Sequence, residues 1–227
     1  PNLHGVDFFV GDIHGAFDRL ALALEAVGFD PTVDRLICAG DLVDRGNHND
    51  MASEWLKQPF FYSVRGNHES IFLKWYGLRH HRDAQRHFEQ EYYFKNGGEW
   101  VEQFSVSDQQ LLAEQLEKLP YFLSVSAPDG RTVGVVHAEL PDGMGWPRLI
   151  CSPPDSDLLK TMTWGRDRLK QARRQARGLS LTSPLPQDGN VIQGLAALVC
   201  GHFTVSKPKR LGNILYLDTG GGTNKGN

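Results

Sequence analysis

The residues that could do chemistry stand in five short polar clusters. Asp12 and His14 lie in Gly11-Asp12-Ile13-His14-Gly15, and Asp41 and Asp44 in Gly40-Asp41-Leu42-Val43-Asp44-Arg45-Gly46. Asn67 and His68 lie in Gly66-Asn67-His68-Glu69, and His137 and His202 follow in Val136-His137-Ala138-Glu139 and Cys200-Gly201-His202. Carboxylate, amide and imidazole donors suit borderline divalent ions such as Mn, Fe, Zn or Co. No thiolate joins them, which argues against a structural zinc knot. One metal with six protein ligands would have little room to react, whereas two metals sharing a carboxylate would. A pair roughly 3.5–4 Å apart can clamp both sides of an in-line displacement and activate a water at neutral pH.

Each cluster alone has a plainer reading. Asp-x-His in a glycine loop is a turn, Gly-Asn-His-Glu is a helix cap, and a lone His137 or His202 is a packed histidine. Their order gives them weight, because each metal-capable residue comes just past a strand-like run. Those runs are Val6–Val10, Arg35–Ala39, Phe60–Val64, Thr132–Val136 and Leu195–Cys200. The first three alternate with helical patterns, Ala16–Gly28 with Phe17, Leu20, Leu24 and Val27 at helical spacing, and Asn49–Leu56. Strand, glycine loop and helix in succession is the α/β pattern, whose sites lie at the carboxyl ends of strands.

Residues 70–119 read mostly helical, with a cap expected at Ser107 and a stop at Pro120. Tyr121–Ser126 and Thr132–Val136 read as a hairpin about Pro128-Asp129-Gly130, and Ile214–Leu217 as the last strand. Residues 140–155 and Gly178–Asn190 read as loops, and Arg166–Arg177 as a basic helix. With no repeat and no convincing linker, one domain, 1–227, is expected.

The motifs at 11–15, 40–46 and 66–69, with His137 and Gly201-His202 in order behind them, resemble those of the calcineurin-like metallophosphoesterases. Within that superfamily the likeness is to the phosphoprotein phosphatase branch, in its small bacterial and bacteriophage lambda-type form. It spans about residues 6–221, and the three early motifs together are highly specific. The resemblance implies two packed mixed β-sheets flanked by helices, with a dinuclear site at the sheet edge. It implies Asp12 and His14 on the first metal, Asp41 bridging, and Asn67, His137 and His202 on the second. His68 corresponds to the general acid, Asp44 to its orienting partner, and Arg45 and Arg65 to phosphate-binding arginines. A third arginine is expected downstream: Arg166, with Arg168 as rival. Two divalent ions, Mn2+ by preference, are the implied cofactor, with direct attack of a metal-bridging hydroxide on phosphorus.

The activity so implied is that of a serine/threonine protein phosphatase, with phosphotyrosine or phosphohistidine as further substrates. A symmetrical diadenosine tetraphosphate hydrolase is the alternative, and a noncatalytic scaffold on the same fold the third reading. The residue types make chemical sense of phosphoester cleavage. A phosphate monoester carries about two negative charges near pH 7, and planar guanidinium forks bind it bidentately.

The remaining features set bounds. Hydrophobic residues make up 40% and charged residues 22%, as in ordinary globular proteins. A net charge of −3 argues against bulk binding of nucleic acid, and no apolar run is long enough for a membrane span. With no signal peptide visible and three scattered cysteines, a cytoplasmic, reducing setting and a monomer acting on phosphoproteins or small phosphoesters are expected. Cys38 and Cys200 read as buried core thiols. His80, His81 and His87 read as surface decoration, and Glu139 as a support or surface residue. His48 and Asn49 read as a polar loop near the mouth, and Thr223–Asn227 as a frayed tail.

Overall fold

A computed structural model describes residues 1–81, 83–175 and 190–222. The expectations for residues 178–189, for Arg177 and for 223–227 lie outside the described residues. The chain folds as an α/β protein with two sheets. Strands β1 (Asp7–Val10), β2 (Arg35–Cys38) and β3 (Phe61–Ser63) form a parallel sheet in that order. Strands β4 (Phe122–Ser126), β5 (Thr132–Val136), β6 (Ala197–Cys200), β7 (Lys209–Leu211) and β8 (Ile214–Tyr216) form a mixed sheet in the order β4-β5-β6-β8-β7. The hairpin β4–β5 is antiparallel, pairing Phe122 with Val136, while β5, β6 and β8 run parallel.

Strand side chains alternate faces, so each strand feeds two cores. On β2, Leu36 and Cys38 join the cluster under the helices of the first half, while Ile37 and the following Ala39 turn the other way. On β6, Leu198 and Cys200 face the second helical layer, and Val199 turns inward. Ile37, Ala39 and Val64 from the first sheet meet Val135 and Val199 from the second, with Phe9, Val133 and Leu215 around them. This apolar layer joins the sheets face to face.

Helices α1 (Phe17–Ala26), α2 (Ala52–Trp55), α3 (Asn67–Gly77), α4 (Ala84–Lys95) and α5 (Val106–Glu117) belong to the first half. Phe17 and Leu20 are buried on α1, but Val27 is 57% exposed, because the helix ends before it. The α5 cap is Ser105, whose hydroxyl accepts the Asp108 N–H, rather than Ser107. Helices α6 (Trp146–Cys151), α7 (Ser156–Trp164) and α8 (Asp167–Gln175) cover the second sheet. The stretch 140–155, expected as loop, contains α6. Pro147 at its start is compatible with a first helical turn, and buried Trp146 and Leu149 anchor it. Cys38 and Cys200 are buried, as expected. No helix among the described residues is long and apolar enough to cross a membrane.

Candidate metal centre

The two sheets aim their carboxyl ends at one place. Asp12 and His14 follow β1, Asp41 and Asp44 follow β2, Asn67 and His68 open α3 after β3, His137 follows β5 and His202 follows β6. All eight are buried. Carboxylates tie the loops together through backbone amides. Both Asp12 oxygens accept the His202 N–H, at 2.8 and 3.1 Å, and Asp41 Oδ1 accepts the His68 N–H at 2.9 Å. Two glycines make these approaches sterically feasible. A Cβ on Gly66 would fall on Asp41 Oδ1, and one on Gly201 on Asp12 Oδ1.

Asp41 Oδ2 is left pointing into the centre. It lies 3.6 Å from His14 Nε2, 3.4 Å from His137 Nε2 and 4.0 Å from His68 Nε2. His14 Nε2 is also 3.8 Å from Asp12 Oδ2. His137 Nε2 is 2.9 Å from Asn67 Oδ1 and 3.2 Å from His202 Nδ1. The ligating atoms of His14, Asp41 and His68 lie within 4.8 Å of one another, as do those of Asp41, His137 and His202.

The donor chemistry fits a cation. His14 Nδ1 is 3.0 Å from the Val43 carbonyl and His137 Nδ1 is 2.7 Å from the Ala39 carbonyl. A carbonyl only accepts, so each Nδ1 carries a hydrogen and each Nε2 is the nitrogen turned to the centre, the one that would ligate a cation. Imidazole nitrogens and carboxylate oxygens thus crowd together, a donor set suited to a cation. Burial would lower His137, but the Asp41 and Asp12 carboxylates outweigh it and raise its pKa to about 10. Burial lowers His14 to about 3, the Asp41 charge opposing; His202 is also lowered to about 3, by burial, His137 and Arg166. Burial raises Asp12 well above its ordinary value, whereas Asp41, also raised by burial, is carried well below by the facing histidines.

A second group stands beside this one. His68 Nδ1 donates to Asp44 Oδ2 at 2.6 Å, which leaves Nε2 toward the centre. Arg45 spans the two parts: Nη1 is 2.9 Å from His14 Nε2 and Nη2 is 2.7 Å from His68 Nε2. Arg166 Nε donates to His202 Nε2 at 2.8 Å. Arg168 is occupied elsewhere, paired with Asp142 at 2.7 Å and donating to the Leu140 carbonyl, so Arg166 is the arginine at the centre. The Arg65 guanidinium contacts the Tyr121 hydroxyl and the Glu117 carbonyl and does not join this ring of contacts.

Several supports have no role assigned by the motifs. Glu69, in the Gly-Asn-His-Glu cluster, accepts the N–H groups of Asp41, Leu42 and Gly66 at 2.7–2.9 Å. Trp100 donates its indole N–H to Asp44 Oδ1 at 2.8 Å, a long-range contact with no local signal. Asn49 accepts the Asp44 N–H and donates to the Gly46 carbonyl, both at 2.7 Å. Glu139 is 5% exposed and accepts the N–H groups of Asp167 and Arg168 at 2.8 and 3.2 Å, which caps α8 beside Arg166. His80, His81 and His87 are exposed on the surface.

Backbone strain collects here as well. Among the described residues the non-glycine positions with positive φ are His14 (47°), Asp41 (52°), Asp44 (74°), Arg45 (69°) and His202 (59°). Such conformations cost on the order of 1–3 kcal/mol each and persist where the surroundings enforce them.

Comparison with known proteins agrees with this picture. Residues 8–203 match the model of the calcineurin-like phosphoesterases, and the chain belongs to that family. Serine/threonine-protein phosphatase 2 of Salmonella typhimurium is 30% identical over 217 residues, 93% of this chain and 85% of that protein. The symmetrical bis(5'-nucleosyl)-tetraphosphatase of Actinobacillus succinogenes is 40% identical over 75 residues, 32% of this chain and 27% of that protein. A solved structure described as a putative diadenosine tetraphosphatase superposes with a TM-score of 0.60 at 20% identity, covering 97% of this chain and 86% of that one. The chain is therefore a metallophosphoesterase, a hydrolase of phosphoester bonds.

Proposed function

We propose that this phosphoesterase is a serine/threonine protein phosphatase using two divalent ions, manganese by preference. The observation that carries the metal-dependent part is the convergence of Asp12, His14, Asn67, His137 and His202 on Asp41, with their ring nitrogens and oxygens facing one centre. Asp12, His14 and Asp41 would hold one ion, and Asp41, Asn67, His137 and His202 the other. When bound, the pair supplies charge against the phosphate oxygens and makes a water acidic enough to serve as nucleophile.

The chain's own residues do the rest. Arg45 and Arg166 present guanidinium N–H groups at the rim, suited to the non-bridging oxygens of a phosphate. Arg65 would add to them by turning from Tyr121. Asp44 keeps the His68 proton on Nδ1 and stabilises the imidazolium, so Nε2 is the nitrogen that protonates the leaving oxygen. A serine alkoxide is a poor leaving group, and this proton transfer is where the dyad contributes most.

The protein phosphatase reading draws on the 30% identity that extends along most of both chains. A second reading, symmetrical dinucleoside tetraphosphate hydrolysis, draws on the higher identity over 75 residues. Manganese-reconstituted protein should be assayed on p-nitrophenyl phosphate, a phosphoserine peptide and diadenosine tetraphosphate. Preference for the phosphopeptide supports the first reading. A kcat/KM that favours the dinucleotide replaces it with the second, and no metal-stimulated activity on any of them overturns both.

A further inference from the structure

Beside the metal centre a cavity of about 240 Å³ opens between α7 and α8, lined by Lys160, Thr161, Trp164, Arg166, Asp167 and Lys170. It adjoins the centre through two residues. Arg166 Nε reaches His202 Nε2 at 2.8 Å, and the Trp164 ring meets the His202 ring edge-on at 6.0 Å. Three cations against the single Asp167 carboxylate leave its lining with an excess of two positive charges. Lys160 and Lys170 are exposed, and among the described residues no ion pair uses either ammonium group. Trp164 is 37% exposed, an apolar face kept open at a charged rim.

The walls are preformed. Glu139 caps α8 at Asp167 and Arg168, and the Ala138 N–H donates to the Met162 carbonyl at 2.7 Å. One wall is thus fixed to the strand end that carries His137. Little ordering entropy is lost when a ligand enters such a site.

We propose that Lys160 and Lys170, which line the same cavity as Trp164, form a subsite for acidic side chains flanking the phosphorylated residue of a polypeptide substrate. The inference rests on the protein phosphatase reading and adds its substrate class. Lysines are flexible point charges that suit carboxylates at variable positions, whereas bidentate arginines suit phosphate. The charge extends along α8, with Arg174 exposed one turn beyond Lys170, while Arg173 stacks on Phe203 at 4.4 Å and Arg168 is paired. A basic track of this kind matches an extended acidic chain better than the short phosphate bridge of a dinucleotide. The Trp164 face shields the ion pairs from water and gives the peptide backbone an apolar floor.

The test uses full-length, manganese-loaded protein and two peptides carrying a non-hydrolysable phosphonate in place of phosphoserine, one flanked by glutamates and one by glutamines. Each is measured as a competitive inhibitor of p-nitrophenyl phosphate hydrolysis. The acidic peptide should bind roughly three- to tenfold tighter, and that ratio should fall toward one in Lys160→Gln/Lys170→Gln and at high salt. Both lysines are exposed, so kcat/KM for p-nitrophenyl phosphate should stay unchanged. Equal inhibition by the two peptides, or a ratio that survives the double substitution, overturns the proposal. So does a rise in KM confined to diadenosine tetraphosphate, which would assign the lysines to a polyphosphate. Turnover of the matching phosphopeptides is scored separately, so failure of the protein phosphatase reading is distinguishable from failure of the subsite.

Discussion

Asp41 carries more of the site than any other side chain. One oxygen anchors α3 through the His68 amide while the other faces three histidines. Geometry alone leaves His68 able to act as a ligand, since its Nε2 belongs to one of the two clusters. The Asp44 hydrogen bond orients the ring in either role, and it is the resemblance of Gly66-Asn67-His68-Glu69 to the family motif that implies proton transfer. His68→Asn should therefore lower kcat by about 10²–10⁴-fold while metal content, measured by elemental analysis, stays near wild type. Asp41→Asn should lower metal stoichiometry and rate together. Metal loss in the first variant, or retention of both ions in the second, would reverse the two assignments. Residue type and spacing make Asp12, His14, Asp41, Asn67, His68, His137 and His202 legible in the sequence. Trp100 is not legible there, because its link to Asp44 crosses 56 positions of the chain and leaves no local pattern.

At the scale of elements, strands ending in polar loops are readable because apolar runs meet glycine or polar residues at each exit. Helix α6 is hidden by the prolines and glycines around it, and β7 by its basic sequence, Lys209-Arg210-Leu211, which has no apolar run. The α5 cap falls two positions before the expected one because Ser105 and Ser107 both qualify by type, and only the Ser105 hydroxyl accepts the Asp108 amide. The element with most consequence for the site is α8, whose start is held by Glu139. Glu139→Ala should release the backbone beside Arg166. Inorganic phosphate should then inhibit more weakly, by about tenfold, with metal content unchanged. Glu139→Gln keeps one acceptor oxygen and should restore part of the effect. Combined with Arg166→Ala it should add nothing, since both act through one guanidinium. Full additivity in that cycle would make Glu139 merely a stabiliser of α8.

For the molecule as a whole, the centre couples metal, proton and fold. The Asp41 and Asp12 carboxylates hold His137 up to about 10, so a cation bound through its Nε2 would have to displace a proton. The sign is set: a raised imidazole pKa makes protons competitors below it. Apparent Mn2+ affinity should thus climb as pH rises from 6 to 9, about tenfold per unit for the one proton. Calorimetry in buffers of differing ionisation heat reads the proton release, and a flat profile would contradict it. Binding only to the folded state should also raise Tm. A thousandfold excess over Kd gives about 4 kcal/mol, or roughly 10 °C for a chain this size.

The left-handed residues lock the loops to one another. Asp41 offers its carbonyl to the amides of Ile13 and His14, Leu42 to Gly15, and Gly15 in turn to His48, while the Arg45 amide reaches Gly97. A loop that relaxed to ordinary torsions would drop its neighbours' partners too, so piecemeal loosening is disfavoured. Amide hydrogens of 13–15 and 41–45 should exchange with deuterium as one cooperative block, slowed together by Mn2+, while the surface of α4 exchanges independently.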